Sequence, residues 1–600
     1  MKVYFDPLDV ACKSITGACN DNESIKFNIK LSDAKTCHLI LRCDEKGEEQ
    51  VFKMKKNNEN FNLTLPPLKV GLYWYYFLAD SIEIGKNYFG FAEIGKVHEC
   101  FELLVYNSKQ TYPKSFCGGV MYQIMPDRFA KADGFGNSKG KRMREDWGGI
   151  PEYLPRKGKI RNDDFFGGNF EGIRQNLDYL KSLGVTKVYL NPIFEAKSNH
   201  RYDTGNYLKF DELLGTDQDF ENLINSAQEL GISFIIDGVF NHTGDDSIYF
   251  NKYGSYDEIG AYNSKDSKYY SWFIFNKHPD NYLSWWGIDT LPTINKNSKE
   301  YEEFITGENG VLDRCLKMGV GGVRLDVVDE IPDSFVRKIT DRVKSYGKDK
   351  IVIGEVWEDA TNKIAYGVRR KYFQGGELDS VMNYPLKDAI LNYVLYGNTD
   401  LIYRTIREQV NNYPSNALNC MMNILGTHDT PRVLTVFGKN GKLKTERVDM
   451  VNERLTPTEY QEAKKMLKCA SLLQFTLYGV PCIYYGDEIG MQGNKDPFNR
   501  RCFDYSKADF ELVEWYKFLG SLRKKVSAFK EGKITLLKRS NGVITFTRED
   551  NKSLVTIAVN CGDLLCDVEV SGYEKEITRN IKTCKIPLNK YDFAIFYKKK

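Results

Sequence analysis

Between residues 119 and 485 the chain repeats one pattern, a short apolar run followed by a segment whose apolar residues share a helical face. The runs are 119–125, 185–194, 232–240, 322–328, 351–357, 380–384, 422–426 and 480–485. Strands read as near-continuous apolar runs when helices cover both faces of a parallel sheet. The segments between them carry helix punctuation. Ile173, Leu177, Leu180 and Leu183 fall on one face that Gly184 ends, Thr216-x-x-Asp219 is a capping box, and Gly231 stops the helix it opens. Residues 460–473 form a further amphipathic stretch. Eight strand–helix units in series favour a closed (β/α)8 TIM barrel over an open doubly wound sheet.

The barrel has neighbours. Residues 1–112 show little helix signal but several alternating runs, at 25–31, 37–42 and 61–65, then Pro66-Pro67, Val70-Gly71 and an aromatic run at 72–77. This pattern predicts an N-terminal β-sandwich. Tyr112-Pro113-Lys114 reads as a linker into a barrel domain spanning 113–527. From 528 to 600 alternation returns, at 543–547 and 554–559, predicting a C-terminal β-sandwich domain. The stretch of about 241–297, rich in Tyr, Trp, Asn and Ser, is too long for an ordinary βα loop and reads as an inserted domain or lid after the third strand.

Composition removes several functions. Lys+Arg 84 against Asp+Glu 81 gives a net charge of +3, which leaves no electrostatic footprint for a nucleic-acid partner. The longest apolar stretches, such as 71–79 and 232–236, fall far short of the roughly 20 residues a membrane span needs. Asp6 and Asp9 interrupt any secretory h-region, so a cytoplasmic location is expected. The 14 cysteines contain no Cys-x-x-Cys pair; Cys315, Cys469 and Cys482 sit in apolar periodic segments and read as buried thiols. Gly134-x-Gly136 lacks the context of a dinucleotide fingerprint.

Polar residues collect at the C-terminal ends of the predicted strands, the end where barrels of this kind converge their side chains. The third run ends in Asp237-Gly238-Val239-Phe240-Asn241-His242, the fourth in Arg324-Leu325-Asp326, the fifth in Gly354-Glu355-Val356-Trp357, and the seventh continues into Thr427-His428-Asp429. Any one has an ordinary reading: Asp326 pairs with Arg324, His428 is a core histidine. Carboxylates ending three successive apolar strands and a seventh point to a site, because burying them is costly.

These segments resemble the short sequence regions of the α-amylase family of glycoside hydrolases (family 13), in the same order and on the same strands. The likeness runs from about residue 118 to the end of the barrel and takes in Asn199-His200-Arg201-Tyr202-Asp203-Thr204, Leu291-Pro292-Thr293-Ile294-Asn295 and Tyr484-Tyr485-Gly486-Asp487-Glu488. The N-terminal β-module, Gly354-Glu355-Val356-Trp357 and Glu330 are most similar to the neopullulanase, cyclomaltodextrinase and maltogenic amylase group. Val323 and Asp329 depart from that group, which often has Trp and Asn there.

The resemblance implies retaining hydrolysis of α-1,4-linked glucans such as maltodextrins, cyclodextrins or pullulan. It makes Asp326 the nucleophile, Glu355 the general acid/base and Asp429 the residue that holds sugar hydroxyls. It further implies that His242 and His428 donate to hydroxyls, that Tyr202 is a stacking platform beside Asp203, that Asp496 and Arg500 form a charged pair lining the pocket, and that Glu330 and Trp357 shape acceptor contacts. Elementary chemistry agrees with the trio. Retaining hydrolysis needs one ionised and one protonated carboxyl about 5–5.5 Å apart. Arg324, two residues from Asp326 on a strand face, is expected to keep Asp326 ionised, and Asp237 is expected to be a structural partner of an arginine. Trp272, Trp285 and Trp286 in the insertion read equally as a sugar surface or a mini-core. Relatives hold a structural calcium after the first strand, and Asp133, Asn137 and Asn169 are the candidate ligands here, although Lys131 stands where the group has an Asn; the chemistry itself calls for no metal. A transglycosylase and a non-catalytic glucan-binding protein are the rivals, and the N-terminal module is a candidate for glucan binding or a homodimer contact.

Overall fold

Each apolar run becomes a buried parallel strand. In a computed structural model, which describes residues 1–96, 99–158, 160–540, 542–570, 572–573 and 575–600, the strands are β1 (Val120–Ile124), β2 (Val185–Leu190), β3 (Ser233–Gly238), β4 (Gly322–Leu325), β5 (Ile351–Gly354), β6 (Ser380–Val381), β7 (Met422–Asn423) and β8 (Val480–Tyr484). Their order in the sheet is β6-β5-β4-β3-β2-β1-β8-β7, and the parallel bridge Met382↔Met422 joins the two ends. The result is the (β/α)8 barrel expected from the eight runs.

Local signals explain the surrounding helices. Helix Asp217–Glu229 begins with both halves of the Thr216/Asp219 capping box, and helix Pro457–Thr476 with the equivalent Thr456/Glu459 box. The expected helix across 173–183 is instead two pieces, Phe170–Gln175 and Leu177–Ser182. Asn176 breaks it by donating its side-chain amide to Gly172 O at 2.8 Å, an alternative partner that competes with the helical ladder. Gly184 then turns into β2 with φ +80°, and a Cβ there would meet the Gly520 Cα at 2.9 Å. The turn after Leu177–Ser182 therefore lies backbone to backbone against helix Phe510–Lys525, which carries Gly520.

In the N-terminal module a four-stranded sheet containing Ile25–Leu31 and Asn60–Leu65 lies with a seven-stranded sheet built on Cys37–Cys43, Gly71–Ala79 and Phe101–Tyr106. Phe5, Phe27, Tyr75, Phe77 and Phe101 fill its core, with Phe5 and Phe77 ring centroids 4.8 Å apart. At the other end, a five-stranded sheet containing Lys533–Ser540, Val543–Glu549, Ser553–Asn560 and Asp592–Lys599 carries a smaller pair, Cys566–Glu569 with Lys585–Leu588. Tyr112, expected in a linker, is buried in the barrel's own core beside Phe116.

The seam between the N-terminal module and the barrel is polar and closely paired. Arg407 donates to Asp6 at 2.6 Å, Lys13 to Asn411 at 2.8 Å, Asn362 to Glu102 at 2.6 Å, and Arg369 to both oxygens of Asp44 at 2.8 and 3.0 Å. Burial pushes the Lys13 ammonium down to about 8 and the Glu102 carboxyl up to about 8, so these groups depend on their partners. The 14 cysteines are all free. Among the described residues no helix is long and apolar enough to cross a membrane.

Gly184→Ala should destabilise the chain by about 2 kcal/mol, since an L side chain in the left-handed region costs roughly 1–2 kcal/mol before its contact with Gly520 is counted. Urea unfolding of the variant beside wild type measures this; an unchanged midpoint would contradict the backbone-to-backbone packing.

Candidate active site

Strand register builds the site. In the parallel ladders Asp237 lies opposite Arg324 and Leu325 opposite Gly354, so Asp326 and Glu355 leave adjacent strands one residue past the paired region. Arg324, fully buried, gathers them. Its Nη1 donates to Asp237 at 2.8 Å and to Asp326 at 2.9 Å, and its Nη2 lies 2.7 Å from Glu355. Glu355 accepts from the Val327 backbone N–H at 3.0 Å through one oxygen and from the Trp357 indole at 3.1 Å through the other. Val327 reaches it from a left-handed conformation, φ 39°, that β-branched residues rarely adopt.

Burial raises the Asp237 and Asp326 carboxyls above their ordinary range despite the neighbouring guanidinium. Burial pushes the Asp326 carboxyl well above its ordinary range; Arg324 opposes this, and Glu355, Asp237 and Asp429 add to it. Arg324 acts in the direction expected from its position two residues away, and burial is the larger influence. Asp237 is the structural partner expected: it accepts from Arg324, from Tyr189 at 2.7 Å and from Tyr202 at 2.8 Å.

A polar relay orders the opposite wall. Gln123 on β1 donates to Asn191 at 3.1 Å and to His428 Nδ1 at 2.8 Å. That places the His428 proton on Nε2, which faces the Tyr202 hydroxyl at 2.6 Å and Asp429 at 3.0 Å. Burial, with Arg500 and Arg324, holds His428 far below its ordinary range and hence neutral. Tyr202 is half-buried and its ring stacks on His428, centroids 5.2 Å apart and 7° from parallel. Asp429 is reached by Arg500 at 3.4 Å, and Arg500 also pairs with Asp496 at 3.2 Å. His242 turns its Nε2 to the Tyr202 carbonyl at 3.2 Å and stacks on Trp285.

Other expected residues lie elsewhere. Asp203 is spent on its own loop, accepting from the Ser198 backbone at 3.1 Å and from the Ser198 hydroxyl. The insertion's tryptophans divide. Trp272 is buried against Tyr249, Tyr301 and Phe304 and belongs to a mini-core, so it is not on the site face. Trp285 and Trp286 stack on each other at the rim, and Trp286 Nε1 donates to Glu330 at 3.3 Å. Trp357 is 45 % exposed and stacks on Tyr384 with centroids 3.8 Å apart.

The calcium candidates do not form a ligand set. Asn169 caps helix Phe170–Gln175, its oxygen accepting from Gly172 N at 2.8 Å and Ala132 N at 3.2 Å. Asn137 donates to Glu212, and the Asp133 side chain is 99 % exposed with Lys131 at 3.9 Å. A hard dication prefers six to eight oxygens with net negative charge, and these residues do not fit one. Among the described residues no group of three or more His, Cys, Asp or Glu is placed to hold a metal.

Gln123, Tyr189, Asn191 and the Val327 N–H are site groups that the sequence reading missed. Gln123 and Asn191 carried a usable signal: both are polar at the C-terminal ends of apolar runs, as Asp326 and Glu355 are. Val327 carried none, since its contribution is a backbone direction.

The family model described as "Alpha amylase, catalytic domain" matches residues 123–533. The chain is 36% identical over 529 residues to the amylopullulanase of Thermoanaerobacterium saccharolyticum, covering 79% of this chain and 40% of that protein. It is 32% identical over 455 residues to the cyclomaltodextrinase of Geobacillus thermopakistaniensis (strain MAS1), covering 74% of this chain and 68% of the relative. Among solved structures it is similar to the type III pullulan hydrolase from Thermococcus kodakarensis, with 25% identity, a TM-score of 0.69 and all of both chains covered. Cyclic alpha-maltosyl-(1→6)-maltose hydrolase from Arthrobacter globiformis aligns with 27% identity and a TM-score of 0.67, over 82% of this chain and 100% of the other. The chain spans 40% or less of the length of the amylopullulanases it matches.

Burial, reinforced by the Lys296 ammonium, pushes His242 down to about 3, whereas in the unfolded chain it titrates near about 6.5. The unfolded state then binds the extra proton between those values, so wild type loses stability as pH falls from about 6.5 towards 3. His242→Gln lacks this dependence. Its deficit relative to wild type should narrow by about 2 kcal/mol between pH 7 and pH 5, read from urea unfolding at each pH; a constant deficit would contradict a neutral buried His242.

Proposed function

The chain belongs to the α-amylase family, and from that premise we propose that it is a retaining hydrolase of α-1,4-glucosidic bonds in maltodextrins, cyclodextrins or pullulan. One observation carries the reading. Asp326 and Glu355 sit on the two terminal nitrogens of one buried guanidinium, at 2.9 and 2.7 Å, as the close approach of two carboxyl groups in a retaining site demands. The names of the relatives, amylopullulanase, cyclomaltodextrinase and pullulan hydrolase, support the substrate class.

The mechanism follows from the arrangement. In the retaining reaction Asp326 acts as the nucleophile and Glu355 as the proton donor. Asp326 attacks the anomeric carbon while Glu355 gives its proton to the departing glycosidic oxygen, leaving a glycosyl ester on Asp326. Glu355, now anionic, takes a proton from water as that water attacks the same carbon and frees Asp326. Asp429, braced by Arg500, and the His428 Nε2–H hold hydroxyls of the distorted ring. The Trp357 indole, bonded to Glu355, keeps the acid aimed at the leaving oxygen.

A second reading, transfer of the glycosyl group to a sugar, is favoured by the exposed rings of Trp286 and Trp357, which offer an acceptor apolar surface beside the acid. Products longer than the substrate at high maltotriose concentration would identify it.

Asp326→Asn should lower kcat on soluble maltodextrin by about 10^3-fold or more while the fold is retained, because the nucleophile is removed without a change of shape. Unchanged hydrolysis in the purified variant would refute the mechanism. Product profiles of wild type on starch, pullulan and β-cyclodextrin then separate the activities within the class.

A further inference from the structure

After helix Val433–Gly438 the chain winds through residues 439–456 before helix Pro457–Thr476 begins, and there it borders an open cavity of about 380 Å³. That volume suits a small organic ligand rather than a single ion. Lys439, Lys442, Lys444 and Arg454 line it together with Asp449 and Glu453. The Lys439 ammonium is matched by both oxygens of Glu459 at 2.9 Å, whereas among the described residues Lys442, Lys444 and Arg454 pair with no carboxylate.

The wall behind Arg454 deepens the shortage of negative charge. Arg454 and Arg501 donate to the same Val451 carbonyl oxygen, at 3.3 and 3.4 Å, so two guanidiniums converge on one neutral acceptor. The Arg501 Nε is buried and bonds no group among the described residues. Burial, and after it the Arg454 charge, lowers Arg501 to about 10. Like charges this close repel, and the chain supplies no counter-ion for them. Of the two carboxylates in the lining, Glu453 is buried and serves the wall, one oxygen accepting from the Lys444 backbone N–H at 3.1 Å and the other from Asn494. Asp449 and its neighbour Asn452 are exposed and free to meet hydroxyls. Among the described residues no aromatic side chain lines the cavity, which leaves a nucleobase without a stacking surface.

We propose that this cavity binds a phosphorylated sugar, with Arg454, Lys442 and Lys444 meeting the phosphate and Asp449 and Asn452 the sugar hydroxyls. The site shares no lining residue with the catalytic cluster, yet it is bolted to the loop after β8. Asn494 donates to the Lys444 carbonyl at 3.0 Å and stands two residues before Asp496, and Arg501 adjoins Arg500. Met450, Val451 and Phe498 form one small apolar cluster across the same contact. The segment that carries Asp496 and Arg500 therefore also holds the cavity wall.

The site does not depend on the hydrolase reading, and its test reads binding. The full chain is titrated calorimetrically with glucose 6-phosphate, glucose 1-phosphate, inorganic phosphate and glucose. At least one of the two sugar phosphates should bind about tenfold or more tightly than inorganic phosphate or glucose alone, as even one added hydrogen bond to a charged group implies. Arg454→Ala should weaken that binding by about tenfold or more, through loss of a charge-assisted bond to the phosphate. Arg454→Lys, which keeps the charge but not the planar fork, should fall between, and Lys442→Ala with Lys444→Ala should weaken binding in the same direction. Arg454 is exposed, so its variants should keep the wild-type urea midpoint. Failure of both sugar phosphates to bind, equal affinity for inorganic phosphate, or binding that Arg454→Ala leaves unchanged overturns the proposal, and each of these leaves the hydrolase reading standing.

Discussion

A guanidinium that ends a strand inside a barrel has to be neutralised on the spot, because an uncompensated charge at that depth costs several kcal/mol. Arg324 meets this condition with carboxylates from β3, from its own strand and from β5. Each of them depends on it for the same reason. The parallel register that sets Asp237 opposite Arg324 and Leu325 opposite Gly354 is therefore the physical basis of the site. A slip of one residue in either ladder would strand a charge in the apolar wall, so the electrostatics that make the site reactive also penalise misregister.

The same arrangement explains why the surrounding wall is hydroxyl and amide rather than charge. Asp237 accepts from two tyrosines, and His428 is held neutral between Gln123 and the Tyr202 hydroxyl. Neutral donors satisfy the remaining lone pairs without adding a second positive charge beside the reacting pair. Positive charge stands further out, where Arg500 reaches Asp429 and Asp496 and where Lys296 bonds Asn241 beside His242.

Much of this was legible in the chain. The eight runs, the capping boxes and the strand-end carboxylates follow from periodicity and from the cost of burying charge, and both leave marks on single residues. What stayed hidden depends on direction. Asp203 stands in a motif beside Tyr202, yet its side chain closes a turn with Ser198. Trp272 and Trp286 are the same residue type in the same insertion, and one fills a mini-core while the other stands in water, a difference set by backbone dihedrals that composition does not encode. Asn169 illustrates the point again: an oxygen suited to a cation is occupied by the N–H of Gly172 in the helix it caps and by the N–H of Ala132.

The grip of Asp44 on Arg369 joins residues 325 positions apart in sequence. Composition draws a boundary near residue 112, but this ion pair and the buried partners of Lys13 and Glu102 cross it. In physical terms the two segments are not independent, since removing either half of such a contact leaves the other without its partner. A β-module joined to a barrel without Arg369 would carry an aspartate with no partner, and a barrel joined to a module without Asp44 would lose the anchor of a loop that begins at its own acid. The working unit is the pair, and an exchange of modules keeps the contact only when it carries both halves.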